Sequence, residues 1–372
     1  MKNVVALVNL HNSPNLGILT QNRPLASTTF LGRYTFIDFA LSNLTNSGID
    51  NIGILVKDHS RSVIKHLGSD ATYLKNPKTG FQSLLMNEYG INNPLFNTDV
   101  NNIRTNDYVL YDKNAKYIVI VPVQFVTKID FSKALKEHIN SNKVCSVIYH
   151  ETHHAKERYF NCDALTVDAL GNVQKFETNT GEKDDAYISL ETYIFNSDFL
   201  REMLKKIPDI SSLFTLKDIV HFIVNFQEKV HAIRHDGYCR YFASLLDYMK
   251  FSFELLDTTK FSSSLFSDDW KYYTTTHNST PVLYGINADV NDSLLANGCR
   301  IDGKVEHSIL ARNVIVEEGA FVKDSIIFTD TVIKKGCTIK NAIIDKHCLI
   351  QNKELLEGEK DNPIYIPQGA KI

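Results

Sequence analysis

The feature that most constrains this chain is an internal repeat near its C-terminus. The tripeptides Ser308-Ile309-Leu310, Ser325-Ile326-Ile327 and Ala342-Ile343-Ile344 start 17 residues apart, and the same offset links Ile315 to Val332 to Leu349, Phe321 to Thr338 and Gly319 to Gly336. Within one coil the positions read as inward, Ile309, Ile315, Phe321 and Ile326, step by 6, 6 and 5 residues, which describes three short strands joined by turns. Each coil buries its aliphatic ladder only by stacking on the next. A chance run of Ile and Val in a sandwich would not keep three registers at once. The repeat therefore predicts a left-handed parallel β-helix over 286–372. Its end exposes unpaired strand edges, so burial against another chain is expected.

Residues 1–255 have a different texture. Apolar runs of strand length alternate with helical stretches, the signature of an α/β layer with a mixed, mostly parallel, Rossmann-like sheet. Val4 to Leu10, Asn51 to Val56, Tyr117 to Pro122 and Val144 to Tyr149 read as buried strands. Tyr34 to Leu44 has helical spacing, Phe131 to Asn140 follows Asp130 as an N-cap, and Phe199 to Ile207 and Leu216 to Phe226 are amphipathic, the last entered through Thr215. The Asn-rich, weakly periodic stretch from Lys75 to Asp112 reads as loops over the open sheet edge. Residues 256–285 form a connector, in which Trp270, Tyr272 and Tyr273 are expected to pack an interface rather than bind a base.

Composition excludes several classes of function. The 372 residues are 43% hydrophobic and 22% charged with a formal net charge of -3, so a folded protein is expected and a general nucleic-acid or anionic-membrane surface is not. The apolar start, Val4 to Leu10, lacks the hydrophobic core and cleavage site of a secretory signal and reads as a first strand. No run approaches the roughly 20 apolar residues that span a bilayer. Cys145, Cys162, Cys239, Cys299, Cys337 and Cys348 are scattered without a Cys-x-x-Cys pair, which suggests neither zinc nor disulfides and points to the cytoplasm.

In an α/β sheet the loop after the first strand is where a phosphate cradle forms, and a cradle needs glycines for close backbone approach. Here it reads His11-Asn12-Ser13-Pro14-Asn15-Leu16-Gly17, with one glycine, a proline and no Lys or Arg. Then follow Leu19-Thr20-Gln21-Asn22-Arg23-Pro24-Leu25-Ala26, Phe30-Leu31-Gly32-Arg33-Tyr34, Ile37-Asp38-Phe39-Ala40-Leu41-Ser42-Asn43 and Asn46-Ser47-Gly48-Ile49. Together with the C-terminal repeat, this ungapped match from Val4 to Ile49 resembles bacterial glucose-1-phosphate adenylyltransferase (ADP-glucose pyrophosphorylase). The family pattern there is Gly-Gly-x-Gly-Thr-Arg-Leu-x-Pro-Leu-Thr-x-x-Arg-Ala-Lys-Pro-Ala, then Phe-Gly-Gly-Lys-Tyr-Arg-Leu-Ile-Asp-Phe, Leu-Ser-Asn and Asn-Ser-Gly-Ile. The resemblance implies a nucleotidyltransferase-like domain followed by the β-helix.

The departures fall on the functional positions that the resemblance implies. Leu10 to Pro14 replace the glycine-rich signature, the family arginine falls on Asn15, and the lysine of Arg-Ala-Lys-Pro falls on Leu25. Nucleotidyl transfer needs Mg²⁺ held by carboxylates. The family's Gly-Asp-His motif aligns with Val123-Gln124-Phe125, so Gln124 stands where a metal aspartate belongs. The second metal aspartate, from Asp-Val-Gly-Thr, falls on Tyr241, and tyrosine is neutral at pH 7. On the sugar side, Phe176-Glu177-Thr178 keeps the Glu of Glu-Lys-Pro and loses the Lys. Ser189-Leu190-Glu191-Thr192-Tyr193 puts a carboxylate where the family has glycine.

These losses are those of the GlgD-type subunit, a homologue that pairs with a catalytic GlgC-type chain. The expectation is a non-catalytic or weakly catalytic regulatory subunit in a hetero-oligomer, by resemblance a heterotetramer, serving glycogen biosynthesis. It would bind no cofactor itself, and Mg²⁺ would belong to the catalytic partner. Arg23, Arg33, Glu177 and Ser189 are the candidate ligand residues, with a phosphosugar or nucleotide effector near the two arginines, which could equally serve in ion pairs. Two alternatives stay open: a residual enzyme whose metal is held by Asp130 or Asp236, or a stand-alone sugar-phosphate sensor. His153 and His154, near Glu151 and Glu157, read as surface histidines rather than a metal site.

Overall fold

The computed structural model describes residues 3–68, 80–87, 93–111, 115–226, 229–260, 264–276, 278–351 and 354–372. The N-terminal part is built on β1 (Val4–Asn9), β2 (Thr29–Phe30), β3 (Tyr34–Thr35), β4 (Asn51–Val56), β5 (Phe81–Met86), β6 (Tyr117–Pro122), β7 (Phe125–Thr127), β8 (Cys145–Thr152), β9 (Asp163–Val167), β10 (Val173–Thr178), β11 (Ala186–Asn196), β12 (His231–Arg234) and β13 (Cys239–Tyr241). The main sheet runs β10-β9-β11-β6-β1-β4-β5, with β8 also on β11 and β12 on β8. Its centre, β6-β1-β4-β5, is parallel, and every residue of β1 and β4 is buried. Buried on both faces, such strands read as continuous Val, Leu and Ile rather than alternation, as the sequence has them.

The four expected helices form, as Phe36–Asn46, Phe131–Ser141, Ser197–Ile210 and Leu216–Phe226. Asp130 caps the second through a 2.9 Å bond from the Ser132 amide, and Thr215 enters the last in exchange with Asp218. The stretch from Lys75 to Asp112 differs from its expectation as loops. Phe81–Met86 adds a six-residue parallel edge strand on β4, and Asp99–Thr105 is a helix capped by Thr98. Its local period is weak because the strand is half-buried and the helix is rich in Asn that bonds backbone: the Asn102 amide spans the Val56 and Leu85 carbonyls at 3.1 and 3.0 Å. Residues 75–79, 88–92 and 112 of that stretch lie outside the described residues.

From β14 (Leu283–Tyr284), β15 (Asp289–Asn291) and β16 (Leu294–Leu295) onward, short strands stack into three parallel five-stranded sheets, as the repeat predicted. Inward rows such as Ile301, Val316, Ile333 and Ile350 fill the solenoid. The inward residue of each strand is one later than expected, Leu310, Val316, Val322 and Ile327, because neighbours on a strand face opposite sides; Ile309 and Ile326 point the other way with Ile343 and join the core of the N-terminal part, and Ile315 and Phe321 are half-buried on the outside. One sheet of the β-helix is thus docked on the α/β layer. Gly32 makes this possible: its φ is +71° and an added Cβ would lie 3.0 Å from the Leu310 carbonyl oxygen.

The connector aromatics pack, as expected. Trp270 Nε1 donates to Asn43 Oδ1 at 2.9 Å, the Tyr272 hydroxyl to the Thr127 carbonyl at 3.1 Å, and the Tyr273 amide to Ser42 Oγ at 2.8 Å. The Leu41-Ser42-Asn43 motif therefore holds the connector.

Candidate functional site

The cleft lies at the carboxyl ends of β1 and β6. Immediately after β6, Gln124 is 1% exposed, and its backbone carbonyl accepts the Phe242 amide at 3.0 Å. β7 and β13 pair antiparallel with Phe125 opposite Tyr241, their rings 4.9 Å apart. The two positions where the resemblance placed metal carboxylates therefore do meet in space. Ser244 follows as N-cap of the helix Leu245–Glu254, accepting from the Asp247 amide at 3.0 Å.

A third strand brings an acid to the same place. β11 bulges against β8, its register jumping between Ser189 and Thr192, and the displaced Glu191 takes a left-handed φ of +47°. Bulges re-aim side chains in this way. Glu191 Oε2 accepts from Gln124 Nε2 at 3.0 Å. Burial pushes the Glu191 carboxyl up to about 7, against the pull of Lys217 and with the nearby acids Asp163 and Asp99 adding to the rise. A site with one such carboxylate, an amide that donates toward it and a tyrosine does not fit Mg²⁺, which needs ionised oxygen ligands. Among the described residues no group of three or more His, Cys, Asp or Glu is placed to hold a metal ion.

The loop after β1 is filled from within. His11 Nδ1 lies 3.2 Å from the Asn97 carbonyl and Nε2 accepts from Asn102 Nδ2 at 3.0 Å. Burial lowers the imidazole to about 4. Beneath the loop the fully buried Asp99 accepts from Asn9 Nδ2 at 2.7 Å and from the Leu216 amide at 3.0 Å, and burial raises its carboxyl nonetheless. Asn15 is exposed and turns inward on its own loop, accepting the Gly17 amide at 2.8 Å. Leu25 is 1% exposed in the apolar core, so the place of the family lysine is closed to a charge.

The four candidate ligand residues do not converge. Arg23 is buried and pairs with Asp345 of the β-helix, its guanidinium also 5.9 Å from the Phe328 ring centroid. This is the ion-pair role. Arg33 is exposed and stacks 5.1 Å over Tyr34, and burial, with the charge of Arg33 second, lowers the guanidinium of Arg312 across the junction. Ser189 is fully buried and its hydroxyl accepts the Glu191 amide at 3.2 Å. Glu177 is exposed and pairs with Lys175 at 2.6 Å. Because Thr178 stands opposite Asp163 in the β10/β9 register, Thr178 shares the face of the Asp163 cluster and Glu177 points to the other.

That Asp163 cluster escaped the sequence reading. Asp163 is 2% exposed and accepts from Lys217 Nζ at 2.8 Å and His221 Nε2 at 2.7 Å; against burial, these bonds hold its carboxyl below the usual range. Lys217 and His221 sit four apart on one helix face, a spacing that is visible in the sequence, but nothing local marks Asp163 as their partner. Asp130 and Asp236 serve as helix cap and as surface ion-pair partner of Arg234. His153 is exposed and pairs with Asp185 at 2.6 Å.

A nucleotidyl transferase family model matches residues 16–242, more than half of the chain. The chain belongs to that family. Residues 283–362 match a GlmU-like C-terminal hexapeptide model, in agreement with the β-helix. The chain is similar to the glucose-1-phosphate adenylyltransferase of Fervidobacterium nodosum, 27% identical over 331 residues, 88% of this chain and 79% of the relative. It is also similar to that of Thermosipho africanus, 28% identical over 327 residues, 87% and 78% of the two chains. Among the described residues no helix is long and apolar enough to cross a membrane.

Proposed function

We propose that this chain is the non-catalytic or weakly catalytic regulatory subunit of an ADP-glucose pyrophosphorylase, the enzyme that makes ADP-glucose and pyrophosphate from ATP and glucose 1-phosphate for glycogen biosynthesis. The observation that carries this reading is the Gln124–Glu191 pair: at the place of a metal carboxylate stands an amide whose donor end is committed to a buried acid, which burial pushes up to about 7. Loss of charge stabilisation at such a centre costs several kcal/mol of transition-state binding, enough to silence turnover. Tyr241, the filled loop after β1 and the buried Leu25 support the same reading. Mg²⁺ would then be held by the catalytic homologue, with which this chain forms a hetero-oligomer, by resemblance a heterotetramer.

The subunit's contribution would be allosteric, and an allosteric partner must contact active and inactive states differently. An anionic effector, phosphosugar or nucleotide, fits the junction of the two parts better than the old cleft. There Arg33 and Arg312 repel, and Lys346 is lowered to about 8 by burial and the charges of Arg23 and Lys65. An anion would relieve both.

The test is pyrophosphorylase activity with ATP, glucose 1-phosphate and Mg²⁺, for the chain alone and mixed with its catalytic homologue. Silence alone with changed turnover or effector response in the mixture supports the proposal. Mg²⁺-dependent turnover by the chain alone, lost in Glu191→Gln, would overturn it in favour of a residual enzyme.

A further inference from the structure

We propose that Lys346 is a carbamylation site: its side-chain amine takes up carbon dioxide as a carbamate, which Arg23 and Lys65 hold at the junction of the two parts. Lys346 follows the buried Asp345 at a corner of the β-helix. Its backbone is fixed on both sides, the amide donating to Asp345 Oδ1 at 2.7 Å and the carbonyl accepting the Gly369 amide at 2.9 Å, and its side chain is half-buried. The amine stands among more cations than acids. Arg23, across the junction, and the exposed Lys65, on the helix Ser60–Leu67, both act on it. The two acids in reach are already taken. Asp345 holds Arg23 and the Tyr365 hydroxyl through Oδ2 and the Lys346 amide through Oδ1. Asp330 accepts from Asn313 Nδ2 at 2.9 Å and lies 3.5 Å from His347 Nδ1. Among the described residues none makes a hydrogen bond or ion pair with Lys346 Nζ.

A lysine so placed is a nucleophile. Burial first, then the charge of Arg23 and that of Lys65, lower the amine to about 8 against the pull of Asp345 and Asp330. At pH 7.5 it is therefore neutral about a hundredfold more often than the amine of an ordinary lysine. Desolvation beside another cation is how lysines become reactive toward carbonyl carbon.

The surroundings select carbon dioxide among electrophiles. It is small and uncharged, so it enters a half-buried seam. The neutral Nζ attacks its carbon: the N–C bond forms, one C=O electron pair moves onto oxygen, and one proton of the nitrogen passes to water. The step has no leaving group and needs no oxidant or other co-reactant. Its product supplies the acid that the cluster lacks. Before the step Arg23, Lys65 and Lys346 face the single carboxylate of Asp345; after it two cations face two carboxylates. Asp345 engages Nη2 of Arg23, and the other guanidinium donors suit a planar, two-oxygen anion. An acetyl group would remove the charge of Lys346 and leave Arg23 and Lys65 with no added partner.

The proposal concerns the chain alone and is independent of the regulatory reading. The full-length chain is equilibrated with ¹³C-labelled bicarbonate at pH 7.5 and read by ¹³C NMR, with trialkyloxonium trapping and peptide mass spectrometry to locate the adduct. A carbamate should appear at Lys346, beside the one that any free α-amino group forms. Lys346→Met should lose it and melt no lower than the wild type, because an amine buried among cations has been removed. Lys65→Met, at an exposed position, should cut the Lys346 adduct several-fold with the fold intact by circular dichroism. At matched pH and ionic strength, bicarbonate should raise the melting temperature of the wild type and not that of Lys346→Met. An adduct confined to the α-amino group, or an occupancy at Lys346 no greater than at exposed lysines, would overturn the site. So would a gain in melting temperature that inorganic phosphate reproduces and Lys346→Met retains, which is anion binding without a covalent step, or acylation of Lys346 by acetyl phosphate with no carbamate under bicarbonate.

Discussion

The side-chain amide of Gln124 donates a 3.0 Å hydrogen bond to Glu191 and leaves its own oxygen, Oε1, buried without a partner among the described residues. The acid it binds stands on a bulge, in a left-handed conformation, with a carboxyl raised to about 7. A non-glycine residue in that conformation costs about 1–2 kcal/mol. Three costs therefore coincide where a nucleotidyl transfer enzyme needs ionised oxygens, and the cleft is a closed structure rather than an open metal site.

Glu191 should make the protein weaker as pH rises. Its folded-state value, about 7, lies above its ordinary 4.5, so the native state favours the protonated acid. The stability from that preference is complete below pH 4.5 and is lost as pH rises through 7, a change on the order of 3 kcal/mol. Glu191→Gln, which keeps an acceptor for Gln124, should melt above the wild type at pH 8 and close to it at pH 4.5, as followed by thermal denaturation.

The histidines His11 and His235 set the opposite limb. Burial lowers both to about 4 from 6.5, so the neutral ring is the native form. The stability they supply is present above pH 6.5 and is lost as pH falls through 4. His11→Gln should flatten the acid limb of the stability profile by up to about 3 kcal/mol, measured by urea unfolding between pH 4 and pH 7.

Gln124→Glu, the isosteric acid, sets a second carboxylate about 3 Å from Glu191. Like charges at that separation disfavour joint ionisation. The variant should be less stable than wild type at pH 8, and millimolar Mn²⁺ should restore its melting temperature while an equal ionic strength of Na⁺ does not. Equal rescue of the wild type by Mn²⁺ would show that the native pair already holds a cation.

Arg23 and Asp345 form the buried ion pair that ties the N-terminal part to the β-helix, with the Tyr365 hydroxyl donating to the same carboxylate at 2.5 Å. Removing one partner strands the other charge, at a cost of about 3–5 kcal/mol. Arg23→Ala should lower stability by that amount in urea unfolding, and Arg23→Met with Asp345→Leu should recover most of it.

Much of this protein is determined by its sequence alone. A 17-residue period has one economical solution, since aliphatics at a fixed rung bury only by stacking, and Val4–Asn9, Asn51–Val56 and Tyr117–Pro122 are apolar enough to be central strands in any arrangement. The retained Asp38 and Asn43 are legible as motifs, and the fold gives them local work as capping partner of Thr35 and anchor of Trp270. What the tertiary structure alone decided depends on distance in the chain. Gln124 and Glu191 are 67 residues apart, Arg23 and Asp345 are 322, and Asp163 meets Lys217 and His221 only because β9 and the helix Leu216–Phe226 cross. No local pattern encodes such pairs, because a side chain's ionisation and its partners are set by burial and by which strand ends converge, and both exist only once the chain has closed on itself.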